Sequence, residues 1–515
     1  MATQWQTFPI EFKGGLISNQ SALQQGTNAV GSATLLQNFE VNKQGGYTKI
    51  KGYEKFSDTT VTGSGPILAL KVISSGRIVT ARKNASNFTQ YYYGTGTAWT
   101  SMATSAATNG GKVRHAAFNL DGDDKVIFVD GTNYPVVYNT SGNTAAFMTA
   151  ADSTDVLAAE HVAIFKNTAF YTKGNNVYFT APFTVDDFSA ANGAGTLNVG
   201  QEITGLTVFR DQLIIFTTNT IKRLTGNTSA DFQVSPITDR IGCINGDTIQ
   251  EVGGDIMYLA PDGIRLLSAT DRIGDFGLDI ASDTIAKDAN VFLTNYNSFS
   301  SVLFREKAQY RILGYVESEQ RNVSKGLIAT KFVSQGATGI SWSSTNGVKA
   351  FVADSSYSGD QETISFANED GYVYILDTGS SFDGNNIEAI YESPFMPLSD
   401  PQVRKSFYKM TLYAEPTGNM SLDINLKYDF ASSTSTAVVQ PSTFVVESSG
   451  SSVFIFGDSN SAFNTATFGG ELDVVYNKNI IGSGKTIALR IEDNSTNPTF
   501  TLDTALLEFR QNDRQ

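Results

Sequence analysis

Two histidines and one cysteine are the side chains of this 515-residue chain best suited to act as a neutral base or soft nucleophile near pH 7. His115 lies in VRHAAF, beside an apolar strand, and His161 directly precedes VAIF. Both read as strand residues with satisfied ring nitrogens rather than as a general base or a metal ligand. Cys243 sits in IGCING with no neighbouring histidine, which reads as a buried structural thiol. Asp121-Gly122-Asp123-Asp124 gathers carboxylates as a calcium loop does, but it lacks the alternating ligand spacing and the closing glutamate, so a β-turn is expected. GxxxxGK[ST], HExxH and GxSxG are absent, and Ser483-Gly484-Lys485 lacks the P-loop frame. The paired carboxylates of a glycosidase would come from distant parts of a repeat fold, where spacing cannot reveal them. No catalytic, cofactor-binding or metal-binding residue is therefore assigned, and no cofactor is expected. Tyr91-Tyr92-Tyr93 is the densest aromatic run; alternation along a strand predicts at least one exposed ring, giving a cross-strand ladder or a protein or glycan contact surface.

The elements that must position these residues are short strands. In residues 203–268 two apolar segments, 213–217 and 255–259, each pass through a turn into a second strand. Thr218-Asn219 forms the first corner and Pro261-Asp262-Gly263 the second. Similar strand–turn units start near residue 65. Strands at 67–73, 77–81, 89–93 and 98–102 suggest one sheet, those at 113–118, 126–129 and 136–138 a second, and those at 162–165, 169–172 and 177–180 a third, with a Gly/Ala loop at 189–196. Residues 203–240 and 247–285 supply two more. Strands at 298–303, 309–315 and 327–332 suggest a sixth sheet, and 340–342, 350–354, 363–367 and 371–377 a seventh. Units of roughly 40–50 residues with about four strands each match a β-propeller of about six or seven blades, with a pair of β-sandwiches as the competing arrangement.

Three domains are expected: an N-terminal arm with platform-associated strands over 1–60, the propeller over 61–384, and a C-terminal β-sandwich or platform over 385–515. The arm contains a polar, Gly-rich stretch at 14–31 without clear period and is expected to pack on another domain or a neighbouring subunit. In the last domain Leu422, Ile424, Leu426 and Tyr428 alternate with Asp423, Asn425, Lys427 and Asp429, the pattern of a half-buried antiparallel strand. Further strands there are expected at 387–391, 407–414, 444–447, 453–457, 471–476, 486–492 and 499–509. Helix signals are nearly absent; only 283–288 suggests a turn of helix.

Charged residues make up only 17% of the chain, and the net charge is −14. That balance argues against a basic nucleic-acid-binding surface, because phosphate neutralisation needs clustered Lys and Arg. A negatively lined channel would instead let DNA pass without sticking. The single cysteine cannot form an internal disulfide, and no apolar run is long enough to span a membrane. The start, MATQWQTFPIEFKGG, lacks the basic and apolar regions of a signal peptide, so synthesis and folding in a cytosol are expected.

Several phrases together resemble one family. GGLISNQSALQQGTNAVGSATLLQNFEV with GGYTKIKGYEKF, FVDGTNYPVVY (128–138), ITGLTVFRDQLIIFTTNTIKRLTG (203–226), YLAPDGIRLLSAT (258–270), REKAQYRILGY (305–315) and DGNNIEAIYESPFMPLSDPQVRKSFYKMTLYAEPTG (383–418) are similar to the tail hub, nozzle or stabilisation proteins of short-tailed bacteriophages. The resemblance covers most of the chain. It implies a β-propeller on a β platform and a homo-hexameric ring below the dodecameric portal adaptor. It also implies that the ring extends the channel through which genomic DNA passes and docks tail fibres or spikes. The expected location is the virion tail, assembled in the host bacterial cytoplasm, without membrane insertion and without enzymatic turnover. The chain has no room for a long distal nozzle insertion. A receptor-binding tail adhesin contacting host glycan is the alternative, and a propeller glycosidase ranks third.

Overall fold

Short runs of β-branched and aromatic residues, punctuated by turn formers, build the chain almost entirely from strands. The computed structural model describes residues 5–105, 108, 110–120, 122–268, 280–334, 337–398, 400–430, 443–448 and 474–512. The expectation of an all-β chain holds. Seven antiparallel sheet units follow one another, six as separate small sheets and the sixth in order as the first four strands of a nine-stranded sheet, and most begin on a strand that lies against the first strand of a neighbour. The first sheet is the meander Ser64–Val72, Ile78–Lys83, Thr89–Gly94 and Trp99–Ser105. Arg114–Phe118 opens the second, His161–Phe165 the third, Ile203–Phe209 the fourth and Gln250–Val252 the fifth. Ser298–Phe304 opens the sixth and Val352–Ser358 the seventh.

Separate apolar clusters sit between consecutive sheets. Tyr91 and Phe128 join the first to the second, Val129 and Tyr171 the second to the third, Phe170 and Leu213 the third to the fourth, and Phe216 and Tyr258 the fourth to the fifth. Met257 and Tyr310 link the fifth and sixth sheets, and Phe304 and Phe366 the sixth and seventh. Leu70 and Val352 bring the seventh back against the first. Because both faces are covered, the second strands are buried end to end: Asp255–Ala260 and Gln309–Tyr315 are buried throughout, Asp255, Gln309 and Arg311 included. The same geometry corrects the expectation for the tyrosine run. Tyr91 faces the second sheet and Tyr92 the seventh, both buried, and Tyr93 is partly buried, so no ring of the three stands free.

Two sheets were assembled differently from the sequence reading. Ala337–Asn346 pairs along its whole length with Lys325–Ser334, so residues 340–342 belong to the sixth sheet, not the seventh. The seventh sheet takes its fourth strand, Tyr53–Lys55, from the N-terminal region, across more than three hundred residues of chain. The expected loop at 189–196 contains a short 3₁₀ turn, Ala190–Asn192, and then enters Gly195–Asn198, the fourth strand of the third sheet. Of two α-helices, the first lies outside the sequence expectation, and the second extends the turn expected at 283–288: a 3₁₀ turn, Asp283–Ile285, runs into it. Ala22–Asn28 starts on a Ser21 cap whose hydroxyl accepts from the Gln24 amide, and Ala286–Asn295 buries Ala289 and Phe292, one turn apart. Neither these helices nor any other helix among the described residues is long and apolar enough to cross a membrane.

The sixth sheet continues into the platform through Leu35–Gln37, Ile387–Glu392, Ile487–Ser495, Ser421–Tyr428 and Phe444–Glu447. The facing sheet contains Phe39–Val41, Tyr47–Lys49, Phe500–Gln511, Lys405–Pro416 and Val475–Gly484, with Gln6–Glu11 paired to Phe500–Gln511. Leu422, Ile424, Leu426 and Tyr428 are buried between the layers, as their alternation predicts. The expected strand at 453–457 and the first residues of the one at 471–476 lie outside the described residues. Strands from the N-terminal arm are therefore integral members of both platform sheets.

Candidate functional site

The first strands of all seven sheets converge on a cavity of about 200 Å³. Its wall brings together Lys112, Arg114, His115, His161, Asp247 and Asp354, contributed by four sheets and the turns before them. Lys112 and Arg114 lead into and begin the opening strand of the second sheet, so both side chains reach one face of that strand. Asp247 sits in the 3₁₀ turn Gly246–Thr248, whose Asn245 side chain accepts from the Asp247 amide at 2.9 Å. A Cβ on Gly246 would lie 2.1 Å from the Thr204 carbonyl oxygen, so the turn can approach the fourth sheet only with glycine there.

Asp247 is the hub. Arg114 donates to it twice, Nε to Oδ1 at 2.8 Å and Nη2 to Oδ2 at 3.2 Å, and its Nη1 donates to the Glu160 carbonyl at 3.2 Å. Lys112 Nζ lies 3.2 Å from Oδ2 and donates to the Phe299 carbonyl at 2.7 Å. Ser301 Oγ donates to the Asp247 carbonyl at 2.7 Å. One residue thus ties the second, third, fifth and sixth sheets together. Burial pushes the Asp247 carboxyl up, but Lys112 and Arg114 outweigh it and hold the group well below the usual carboxylate range. Asp354 closes the other side: Lys71 Nζ donates to it at 3.2 Å and the Val72 amide at 2.8 Å, joining the first sheet to the seventh. Burial raises its carboxyl too, and Lys71 and His115 bring it below the ordinary value.

Both histidines enter this wall, which the sequence could not foresee. His115 Nε2 lies 3.7 Å from Asp354 Oδ1. His161 faces Arg114 and Asp247 and has no hydrogen-bond partner among the described residues, against the expectation of satisfied ring nitrogens. Burial and the cations beside them, Lys71 for His115 and Arg114 for His161, depress them to about 4 and about 3. Each is neutral at pH 7, and a base so weak has little driving force for proton abstraction. Cys243 is buried; its Sγ donates to the Asn245 carbonyl at 3.2 Å, and burial pushes the thiol up to about 12. In the acidic hairpin Gly122 adopts φ 91°, its amide donates to Asn119 Oδ1 at 3.0 Å, and Asn119 Nδ2 donates to Asp124 Oδ1 at 3.0 Å. That is a turn, although Asp121 lies outside the described residues. In this cavity Asp247 and Asp354 are matched by Lys71, Lys112 and Arg114.

The arrangement makes stability depend on pH. The folded pKa of His161 lies below its ordinary 6.5, so between about pH 6.5 and 3 the unfolded chain takes up a proton that the folded chain refuses. Its contribution is therefore complete above pH 6.5 and shrinks as pH falls through that window. His115 acts in the same sense down to about 4, more weakly because 22% of its side chain is exposed. The unfolding midpoint should drop between pH 6.5 and 4.5, above the range in which Asp247 and Asp354 titrate. His161→Gln should flatten that slope in thermal scans; an unchanged slope would show that His161 is already hydrated or protonated.

No family model matches the chain, and no curated protein does. Among solved structures, the extracellular domain of a protein described as a one component system of B. thetaiotaomicron aligns over 75% of this chain and 44% of its own, at 11% identity and a TM-score of 0.40. PorZ, a bacterial surface component of the type-IX secretion system of Porphyromonas gingivalis, aligns over 63% of this chain and 38% of its own, at 11% identity and a TM-score of 0.36. The chain spans less than half the length of either structure.

Proposed function

We propose that this chain is a non-catalytic structural protein of a short bacteriophage tail, a nozzle or hub subunit. In this reading the seven sheets are blades of a β-propeller seated on the platform. The circuit of clusters that returns from the seventh sheet to the first supports the propeller, as does the closing strand Tyr53–Lys55. Six copies form a ring below the portal adaptor, extend the channel for DNA and dock fibres or spikes; the resemblance in the sequence supports these partners. The central cavity acts as a lock between sheets. Both its carboxylates are ionised and paired, so neither is the raised-pKa acid that glycoside hydrolysis requires.

The observation that carries self-association is an apolar row on the outer platform sheet. Trp5, Tyr408 and Ile481 are 52%, 53% and 83% exposed, and the Trp5 and Tyr408 rings lie 5.1 Å apart. Pairing shifts register between Phe407 and Lys409 against both neighbouring strands, and Tyr408 stands exposed at that bulge. A face of this kind suits a neighbouring copy, and a ring requires heterologous contacts. Electron microscopy of the purified chain, alone and with the adaptor–portal complex of its virus, should show a six-fold ring with an axial hole capping the adaptor. A monomer that ignores the adaptor would overturn the reading. Ile481→Asp should disperse the ring while changing subunit stability by no more than about 0.5 kcal/mol. A second reading, a tail adhesin for host glycan, draws on an amide-lined cavity at the junction of the sheets and the platform.

A further inference from the structure

A cavity of about 530 Å³ opens where the sixth and seventh sheets meet the platform, within the range of small-molecule sites. Six asparagines, Asn38, Asn322, Asn346, Asn385, Asn386 and Asn494, line it with Glu388, a concentration of side-chain amides drawn from separate segments of the chain. The framework is held rigid. Asn38 Nδ2 donates to the carbonyls of Asn346 and Glu388 at 3.0 and 2.9 Å, and its Oδ1 accepts from the Asn346 amide at 2.8 Å. Gln37 Nε2 donates to Glu388 Oε2 at 3.0 Å, and Asn386 Nδ2 to the Asn494 carbonyl at 2.9 Å. Gly347, at φ 104°, leaves room for the Phe382 ring, which a Cβ would meet at 2.6 Å. One group in this framework lacks a partner: Asn346 Oδ1 is buried and accepts no hydrogen bond. An unsatisfied buried acceptor costs stability and calls for a donor.

We infer that this cavity binds a short neutral saccharide. Asn38 is spent on the framework, but the exposed amides of Asn322, Asn385, Asn386 and Asn494 each retain donor and acceptor capacity, which matches a hydroxyl that does both. The charges present do not select an ion: Arg321 is paired with Asp370 and donates to the Tyr374 hydroxyl at 2.7 Å, and Glu388 is held by Gln37. A stacked base is also disfavoured, because Tyr53 and Phe382 lie against one another, 4.9 Å between centroids, and are buried. The open contacts are the exposed side chains of Asn322, Asn385, Asn386 and Asn494 around the mouth. The site does not depend on ring assembly, so it stands or falls separately from the nozzle reading.

The test is a microarray of short bacterial-surface saccharides probed with the labelled full chain, with purified lipopolysaccharide as a second arm to separate free sugars from an envelope glycan. Binding to at least one saccharide is expected, weakened about tenfold or more in Asn322→Ala, which loses an exposed amide of the lining. Asn494→Ala, on the exposed rim, should weaken binding without touching the fold. No binding in either arm, or binding unchanged in both variants, overturns the inference.

Discussion

Asp247→Ala should lose about 3–5 kcal/mol of stability, measured as a shift of the urea unfolding midpoint, because it strands buried cations. Lys112 and Arg114 converge on that one carboxylate, and the Asp247 and Lys112 side chains are only 13% and 14% exposed. Burial already drives the Lys112 pKa down despite the carboxylate, so without Asp247 the ammonium would have to neutralise or draw in water. Arg114 cannot neutralise at any accessible pH and would have to leave its place, releasing the Glu160 carbonyl of the third sheet. Ser301→Ala removes only the hydroxyl that donates to the Asp247 carbonyl and should cost about 1 kcal/mol. If Asp247→Ala unfolds within about 1 kcal/mol of the parent, the cavity does not lock the sheets, and its ion pairs are incidental.

Removal of residues 1–30 should abolish cooperative folding of the platform rather than only its assembly. The sequence alone suggested that this deletion would leave a folded propeller and abolish ring assembly. In the structure, Ile10, Phe12 and Leu16 are at most 3% exposed and belong to the same core as Leu507 and Phe509. Gln6–Glu11 pairs residue for residue with the last long strand. Phe12 meets the Tyr391 ring edge-on, 4.9 Å between centroids. Phe12→Ala alone should cost about 3–5 kcal/mol by loss of buried area and the cavity it leaves. Calorimetry of the truncated chain decides between the two: an unchanged transition with failed assembly would restore the sequence expectation.

Local signals were legible wherever they are complete within a few residues. Turn residues and apolar runs placed the four strands of the first sheet, the hairpin around Pro261-Asp262-Gly263 and the half-buried Ser421–Tyr428. They misplaced residues 340–342 because a strand's partner is chosen by what lies beside it in space. Tyr53–Lys55 joins the seventh sheet through a pairing to which nothing in its own three residues points. The helical turn expected at 283–288 was read too short, because Val291, Phe292 and Thr294 resemble strand residues; burial of Ala289 and Phe292 on one face carries the helix on to Asn295. At least one ring of Tyr91–Tyr93 was expected to be exposed by alternation; Tyr92 does turn to the opposite face, but that face meets the seventh sheet.

The sequence by itself determined the all-β class, the strand–turn rhythm and the scarcity of groups suited to acid–base chemistry, since these depend on residue type and short-range dihedral preference. The tertiary structure decided the rest. It set Asp247 among Lys112, Arg114 and His161, wove the N-terminal strands into the platform, and gathered six asparagines around one cavity. Such groupings join residues separated by tens to hundreds of positions, and only the packing of one sheet on the next brings them within the few ångströms over which hydrogen bonds and buried charges act.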